Sequence, residues 1–392
     1  MARTSALEPA VPAALTLACV WSLYLPLGLQ YLLFLGAGLA ALADFARARR
    51  RTELRAEFRH ALQSAAVVWP LLFLLWTALS AAWSPAPPRD IVGQVWHNAM
   101  PLCMLWLAYA MRAADARLAL RHFIGISVAV ALLLPWLGPE LIGGNKRIAY
   151  SLLLALASVL ALAEALALTG WRHRAPWLLA MVVCGIGLAL QDRRTGMLAL
   201  PLLLAALACL RCTGWRQRAA LLAALSVAAL VVGWATGNVQ SRFDEGLREL
   251  RQYPAEGEVA TSMGMRLRLF ELSLDMVRES PWLGHGAGSW LGLWQARVQG
   301  GGLLAAHTTP HNEYLLVAVQ GGVIGLLFFL LALGACGVAA WRRGGVAPAA
   351  FLVWLAFAFA ACFNVVLRDA KFALPLLILG AVAWAASRPS AR

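Results

Sequence analysis

The sequence predicts an all-α polytopic membrane protein, and three observations point to it. Hydrophobic residues make up 61% of the 392-residue chain and charged residues only 13%. Its apolar runs are far longer than a soluble core needs, whereas about 20 apolar residues cross a bilayer core about 30 Å thick. Those runs are continuous instead of alternating, which argues for helices over the strands of a membrane barrel.

Breaks at Pro, Gly and charge clusters place spans near 10–27, 28–45, 62–82, 93–111, 118–137, 148–168, 176–190, 196–210, 219–235, 312–341, 347–366 and 373–387. That makes about twelve transmembrane helices. The first reads as an uncleaved helix, because apolar sequence continues past Thr16-Leu17-Ala18-Cys19. The tenth is over-long and interrupted at Gly321-Gly322, so a tilted or broken helix is expected there. The chain thus divides into 1–235 with helices one to nine, a long polar segment at 236–311, and 312–392 with the last three helices. That polar segment carries helical periodicity from Gly264 to Glu279.

Loop charge sets the orientation. Arg47, Arg49, Arg50, Arg51, Arg55 and Arg59 lie between the second and third spans. Arg112 and Arg117, Arg172 and Arg174, Arg211, Arg216 and Arg218, Arg342 and Arg343, and Arg388 and Arg392 fill every second loop after that. These loops and both termini are expected on the cytoplasmic side, and 236–311 outside. The net charge of +14 is spread over short loops, with no basic tail or aromatic-interleaved patch, so nucleic acid is excluded as a partner. The seven cysteines fall in or beside apolar runs and imply no disulfide framework.

Against that pattern, Lys146 and Arg147, Arg193 and Arg194, and Arg368 and Lys371 occupy tight loops on the outer side. A single pair can snorkel. Three pairs on the disfavoured side point instead to an external anion, and the arginine fork suits phosphate. On the 264–279 helix, Arg268 shares a charged stripe with Glu271, Asp275 and Glu279. Arg266 is rotated about 200° away, at about 100° per residue, among Ser262, Met263, Leu269, Phe270 and Ser273. An arginine on such a face needs a ligand to complete it, and phosphate or pyrophosphate is the expected one.

The polar segment ends in His307-Thr308-Thr309-Pro310-His311-Asn312-Glu313-Tyr314 just before an apolar run, which puts His311 at the mouth of a helix. Asn312 or Thr309 is a candidate cap. A histidine titrates near neutrality and Glu313 is available to orient it, so His311 is a candidate general base. Pro310 and the threonines make a loop of the stretch, which argues against a zinc site at His307 and His311, and that loop need not bring His307 to the same point as His311. Pro281 to Gly288 is a glycine-rich turn that follows a helix, hence no dinucleotide fingerprint. With no Asp-x-Asp pair in the chain, no metal and no cofactor is expected.

In this order these residues resemble the O-antigen ligase and polymerase superfamily. The likeness is carried by Asp192-Arg193-Arg194-Thr195-Gly196, by Arg266 to Phe270 with Pro281 to Gly288, and by His311-Asn312-Glu313-Tyr314-Leu315 with Gly321-Gly322-Val323-Ile324-Gly325. The resemblance implies a GT-C-like glycosyltransferase of the bacterial inner membrane, working on its periplasmic face. It implies that Arg194 and Arg266 hold the pyrophosphate of an undecaprenyl-pyrophosphate-linked O-antigen, with Arg193, Lys146 and Arg147 adding to the field. His311 would act on the acceptor, lipid A-core, with His307, Asn312, Glu313 and Tyr314 supporting it; the donor's tail would lie among membrane lipid. Arg193 stands where the superfamily often has Ser, which leaves open which arginine of the pair faces the ligand. The alternatives are an O-antigen polymerase, with a second lipid-linked glycan as acceptor, a transferase acting on protein, and, from another class, a transporter. A transporter fits poorly, because Glu164 is the only clear acid inside a span and no inverted repeat is visible.

Overall fold

The computed structural model describes residues 11–46, 63–134, 136, 146–191, 193–212, 214–220, 223, 244–249, 251, 262–298, 303–344 and 347–388. Every expected span within these residues is helical; the one expected at 219–235 lies almost wholly outside them. The helices are α1 (Ala13–Trp21), α2 (Leu27–Ala46), α3 (Ala65–Ser80), α4 (Pro88–Ala110), α5 (Ala113–Leu133), α6 (Lys146–Ala167), α7 (Trp171–Leu190) and α8 (Arg194–Arg211). After them come α9 (Ser262–Glu279), α10 (Trp290–Arg297), α11 (Glu313–Gly344), α12 (Ala349–Ala360) and α13 (Ala370–Ala386). Among the described residues, six helical stretches are long and apolar enough to cross a membrane: Ala65–Trp83, Ala113–Leu133, Arg147–Ala167, Trp171–Leu190, Arg194–Arg211 and Glu313–Gly344. The chain is therefore an all-α polytopic membrane protein.

The hub is α6. Its apolar window is 89% buried, against 28% for Ala65–Trp83 and Glu313–Gly344, so it is the helix the others surround. Helices in lipid associate through close packing of small residues. Gly196 shows this: a Cβ there would stand 2.5 Å from the Ser151 carbonyl oxygen, so only glycine lets the first turn of α8 lie on α6. Polar side chains inside the bundle answer one another. Asn98 donates to Thr77 at 3.0 Å, Gln94 to Asn98 at 3.2 Å and Gln320 to Gln94 at 3.4 Å. This satisfies groups that lipid could not.

One expected span is shorter than the hydropathy suggests. α12 ends at Ala360, and the chain then tightens through turns at 361–363 and 366–368. Those turns bind the start of α11: Glu313 N–H donates to the Ala361 carbonyl at 2.9 Å and Asn312 Nδ2 to that of Cys362 at 3.0 Å.

The basic loops meet at one end of the bundle. Arg388 reaches the carbonyls of Tyr109 and Met111 at the end of α4, and Arg117 donates to Ala386 at the end of α13 at 3.2 Å. Arg343 lies 4.3 Å from the Trp384 ring, and Arg121 pairs with Glu164 at 3.0 Å. Cations on exposed helix carbonyls are favourable both as hydrogen bonds and against the helix dipole.

At the other end α9 and α10 pack on the first turns of α11. Leu269, Met276, Trp290 and Trp294 form a buried cluster with Leu316, Val319 and Val365. The interruption expected in the long helix is a break at Gly322, with φ 64° and ψ −167°. A break frees backbone groups that must find partners, and the glycine-rich turn supplies them. His285 N–H donates to Val319 at 2.9 Å, Gly286 N–H to Gln320 at 2.8 Å, and Val323 N–H to Pro281 at 2.8 Å. Gly284 has φ 67°, and a Cβ on it would stand 2.4 Å from the Gly322 nitrogen, so two backbones touch where both residues are glycine. The turn is thus more than a reversal aimed at the membrane; it completes α11.

Candidate functional site

Each cation and histidine of the site is placed by a local cause. Arg194 opens α8, held at the bundle end by the Gly196 contact with Ser151. Its guanidinium reaches Glu245 at 3.3 Å and Glu249 at 3.8 Å on the helical segment 244–249. Arg266 projects from α9, whose Leu269 and Ser273 are fully buried one and two turns on. Burial lowers the Arg266 pKa from its ordinary value; the neighbouring charge of Arg194 lowers it further, and Glu249 opposes both. Arg194, Arg266 and Glu249 therefore form one charged group. Sequence reasoning found no acid on the Arg266 face of α9, and none is there; the structure brings Glu249 from another element.

His311 lies beside them. It is the one described non-glycine residue with positive φ, at 52°, in a region where such residues are uncommon and which costs about 1–3 kcal/mol. The residues after it hold it there. Asn312 Oδ1 accepts from Leu315 N–H at 3.0 Å as the cap of α11, and Tyr314 donates to the Ala358 carbonyl at 2.9 Å. Glu313 is fully buried and accepts from Leu367 N–H at 2.9 Å. It therefore does not orient His311. The His-Asn-Glu-Tyr run is one histidine followed by three anchors into the end of α12 and the turns after it.

His307 is the neighbour of His311. Its Nδ1 lies 3.2 Å from His311 Nε2, and its Nε2 lies 3.0 Å from the Met265 sulfur. Pro310 and the intervening loop fold the two rings edge to face, with centroids 5.2 Å apart. Burial pushes the His311 pKa down to about 4, with Arg266 and then His307 adding to the effect. His307 is lowered for the same first two reasons, burial and Arg266. Both rings are neutral at neutral pH.

Of the two adjacent arginines, Arg194 joins the cluster, and Arg193 takes the extended backbone position that caps α8. Lys146 and Arg147 open α6, whose next turn carries the Ser151 that touches Gly196. The Lys146 side chain lies outside the described residues, and among those residues Arg147 shares no salt bridge with the acids that hold Arg194. Arg368 belongs elsewhere, with Asp90 and Glu313 as its acidic neighbours. On α9 the charged stripe is real but shorter than expected. Arg268 pairs with Glu271 at 3.2 Å and Arg278 with Asp275 at 2.7 Å, whereas Glu279 turns to Arg297 of α10 at 2.6 Å.

Fold and site together define a polytopic helical membrane protein with a partly buried arginine pair, met by Glu245 and Glu249, beside two neutral histidines at one end of its bundle. Residues 179–330 match the family described as O-Antigen ligase. Over these residues the chain is similar to that family. The matched stretch contains Arg194, Arg266, His307, His311 and the broken helix up to Leu330. No curated protein matches the chain.

Proposed function

We propose that this protein is an O-antigen ligase of the bacterial inner membrane, transferring O-antigen polysaccharide from undecaprenyl pyrophosphate to lipid A-core on the periplasmic face. The convergence of Arg194 and Arg266 beside His311 is the observation that supports it. The acceptor hydroxyl oxygen attacks the anomeric carbon of the donor. As that bond forms, the bond from the anomeric carbon to the pyrophosphate oxygen breaks, and undecaprenyl pyrophosphate leaves with the electron pair. Arg194 and Arg266 stabilise the charge growing on that oxygen, at a place already desolvated by burial. The hydroxyl proton passes to His311, which is neutral and so free to take it. Attack from the face opposite the leaving group inverts the anomeric carbon, and no step calls for a metal. In this reading 1–235 and 312–392 hold the substrates at the bilayer, 236–311 carries the catalytic elements, and both termini are cytoplasmic.

Purified protein reconstituted with undecaprenyl-pyrophosphate glycan and lipid A-core, without nucleotide, tests this directly. The expected product is glycan-capped lipid A-core, formed equally well with a chelator present. Longer lipid-linked chains with no capped lipid A-core would make the protein a polymerase instead, and loss of activity on chelation would remove the metal-free mechanism.

A further inference from the structure

Which nitrogen of His311 is free to take a proton follows from what surrounds the ring of His307, four residues before it. We propose that Met265 and His307 form a one-way hydrogen-bond chain that leaves Nδ1 of His311 as the one proton-accepting nitrogen of the histidine pair, so that His307 is a positioning residue. The argument starts at the sulfur. A thioether carries no hydrogen and can only accept, so the 3.0 Å contact between His307 Nε2 and Met265 is attractive when Nε2 bears the proton. A neutral imidazole has a single N–H; its Nδ1 is then bare and can only accept. Across the 3.2 Å contact the donor must therefore be His311 Nε2–H. His311, neutral in turn, is left with a bare Nδ1.

Neutrality of both rings is set by the geometry. They are partly buried, and the charged group facing them, from α9, is the guanidinium of Arg266, backed by Arg194 of α8. Fixing the tautomer of a base through the hydrogen bond at its other nitrogen is a common device, usually served by a carboxylate or a carbonyl. Here the carboxylate nearest in sequence, Glu313, is committed to Leu367, and a second imidazole ending on sulfur takes its place. When His311 Nδ1 accepts a proton, the imidazolium keeps donating through Nε2 to His307 Nδ1, which spreads the new charge over two rings.

The proposal deepens the base role given to His311, but the chain can be tested in resting protein. The protein is labelled with 15N-histidine, placed in lipid nanodiscs and read by solid-state NMR at neutral pH, with His311→Ala and His307→Ala assigning the two rings by difference. Both histidines are expected as the Nε2–H tautomer. Met265→Leu keeps the volume and removes the acceptor, and should turn both into tautomer mixtures. In turnover, His307→Ala should lower kcat about three- to tenfold, the loss of one hydrogen bond, with the donor KM unchanged. His307→Gln should recover most of it, because its amide can both accept from His311 and donate to Met265. An Nδ1–H or doubly protonated His311 in resting protein, or a Met265→Leu spectrum like the wild type, overturns the chain. If the tautomers are as expected but His311→Gln turns over normally, the chain stands and the base role falls.

Discussion

The two ends of the bundle are both rich in arginine, and they use it differently. At the basic-loop end each guanidinium is discharged on a partner that belongs to the fold: Arg388 and Arg117 on helix-end carbonyls, Arg343 on the Trp384 ring, Arg121 on Glu164. At the other end Arg194 and Arg266 crowd each other, share the carboxylates of Glu245 and Glu249, and border two neutral histidines. Cation density alone does not mark a site. What marks it is that the fold gathers charged groups beside others that can do chemistry.

The sharpest way to break this contrast is at His311. Its loss should remove nearly all turnover, since general base catalysis contributes about 10²–10⁴-fold, while donor binding survives. His311→Gln working nearly as well as wild type would show that the arginines carry the catalysis alone.

Next come the arginines. Arg194→Ala or Arg266→Ala should each cost tenfold or more in donor use, as charge-assisted contacts are worth about 1.5–3 kcal/mol. Arg268→Ala, paired with Glu271 on the solvated stripe, and Arg388→Ala at the other end should leave kcat/KM close to wild type. Equal losses at 266 and 268 would mean that α9 as a whole matters, with no anion site on one face.

A smaller effect lies in the pH profile. His311 is held down to about 4 by burial, Arg266 and His307, so its proton-accepting form persists below the usual histidine range. In donor-free protein, read through kcat/KM, activity should hold as pH falls through 6.5 and decline only toward 4. Bound pyrophosphate offsets Arg266 and raises the pKa, so the acid limb of kcat should lie at higher pH than that of kcat/KM. Arg266→Ala should move the kcat/KM limb upward as well; a limb that stays put would show that Arg266 does not face His311. Last, reporter fusions at Arg248 and Arg343 should report opposite sides of the membrane, and a common side would collapse the comparison of ends.

Much of this was legible in the chain. Apolar runs located the helices, loop charge sorted the two ends, and the rotation of Arg266 away from Arg268 on α9 separated the site arginine from the stripe. The missed parts share a cause: they depend on contacts between elements far apart in sequence. No periodicity could bring Glu249 to Arg194 and Arg266. Nothing in the loop around Pro310 announces that His307 folds back onto His311. Glu313 looked like a partner for its near neighbour because sequence adjacency is easy to see, whereas its real partner, Leu367, lies 54 residues away. The glycines at 284 and 322 were each visible as a break, yet only the structure shows that one break fills the other.

That filled break also turns the chain back on itself. α11 has 32 residues, about 48 Å at 1.5 Å per residue, well beyond a hydrocarbon core of about 30 Å. The portion after Gly322 is by itself about 33 Å long and is enough to cross. The stub from Glu313 to Gly321 does not extend that portion upward: it folds back beside it, with the Tyr314 ring 5.6 Å from that of Phe329 and the Val317 carbonyl 3.9 Å from where a Gly325 Cβ would stand. The head of the stub is thereby anchored to the flank of the crossing portion, and His311 is carried with it.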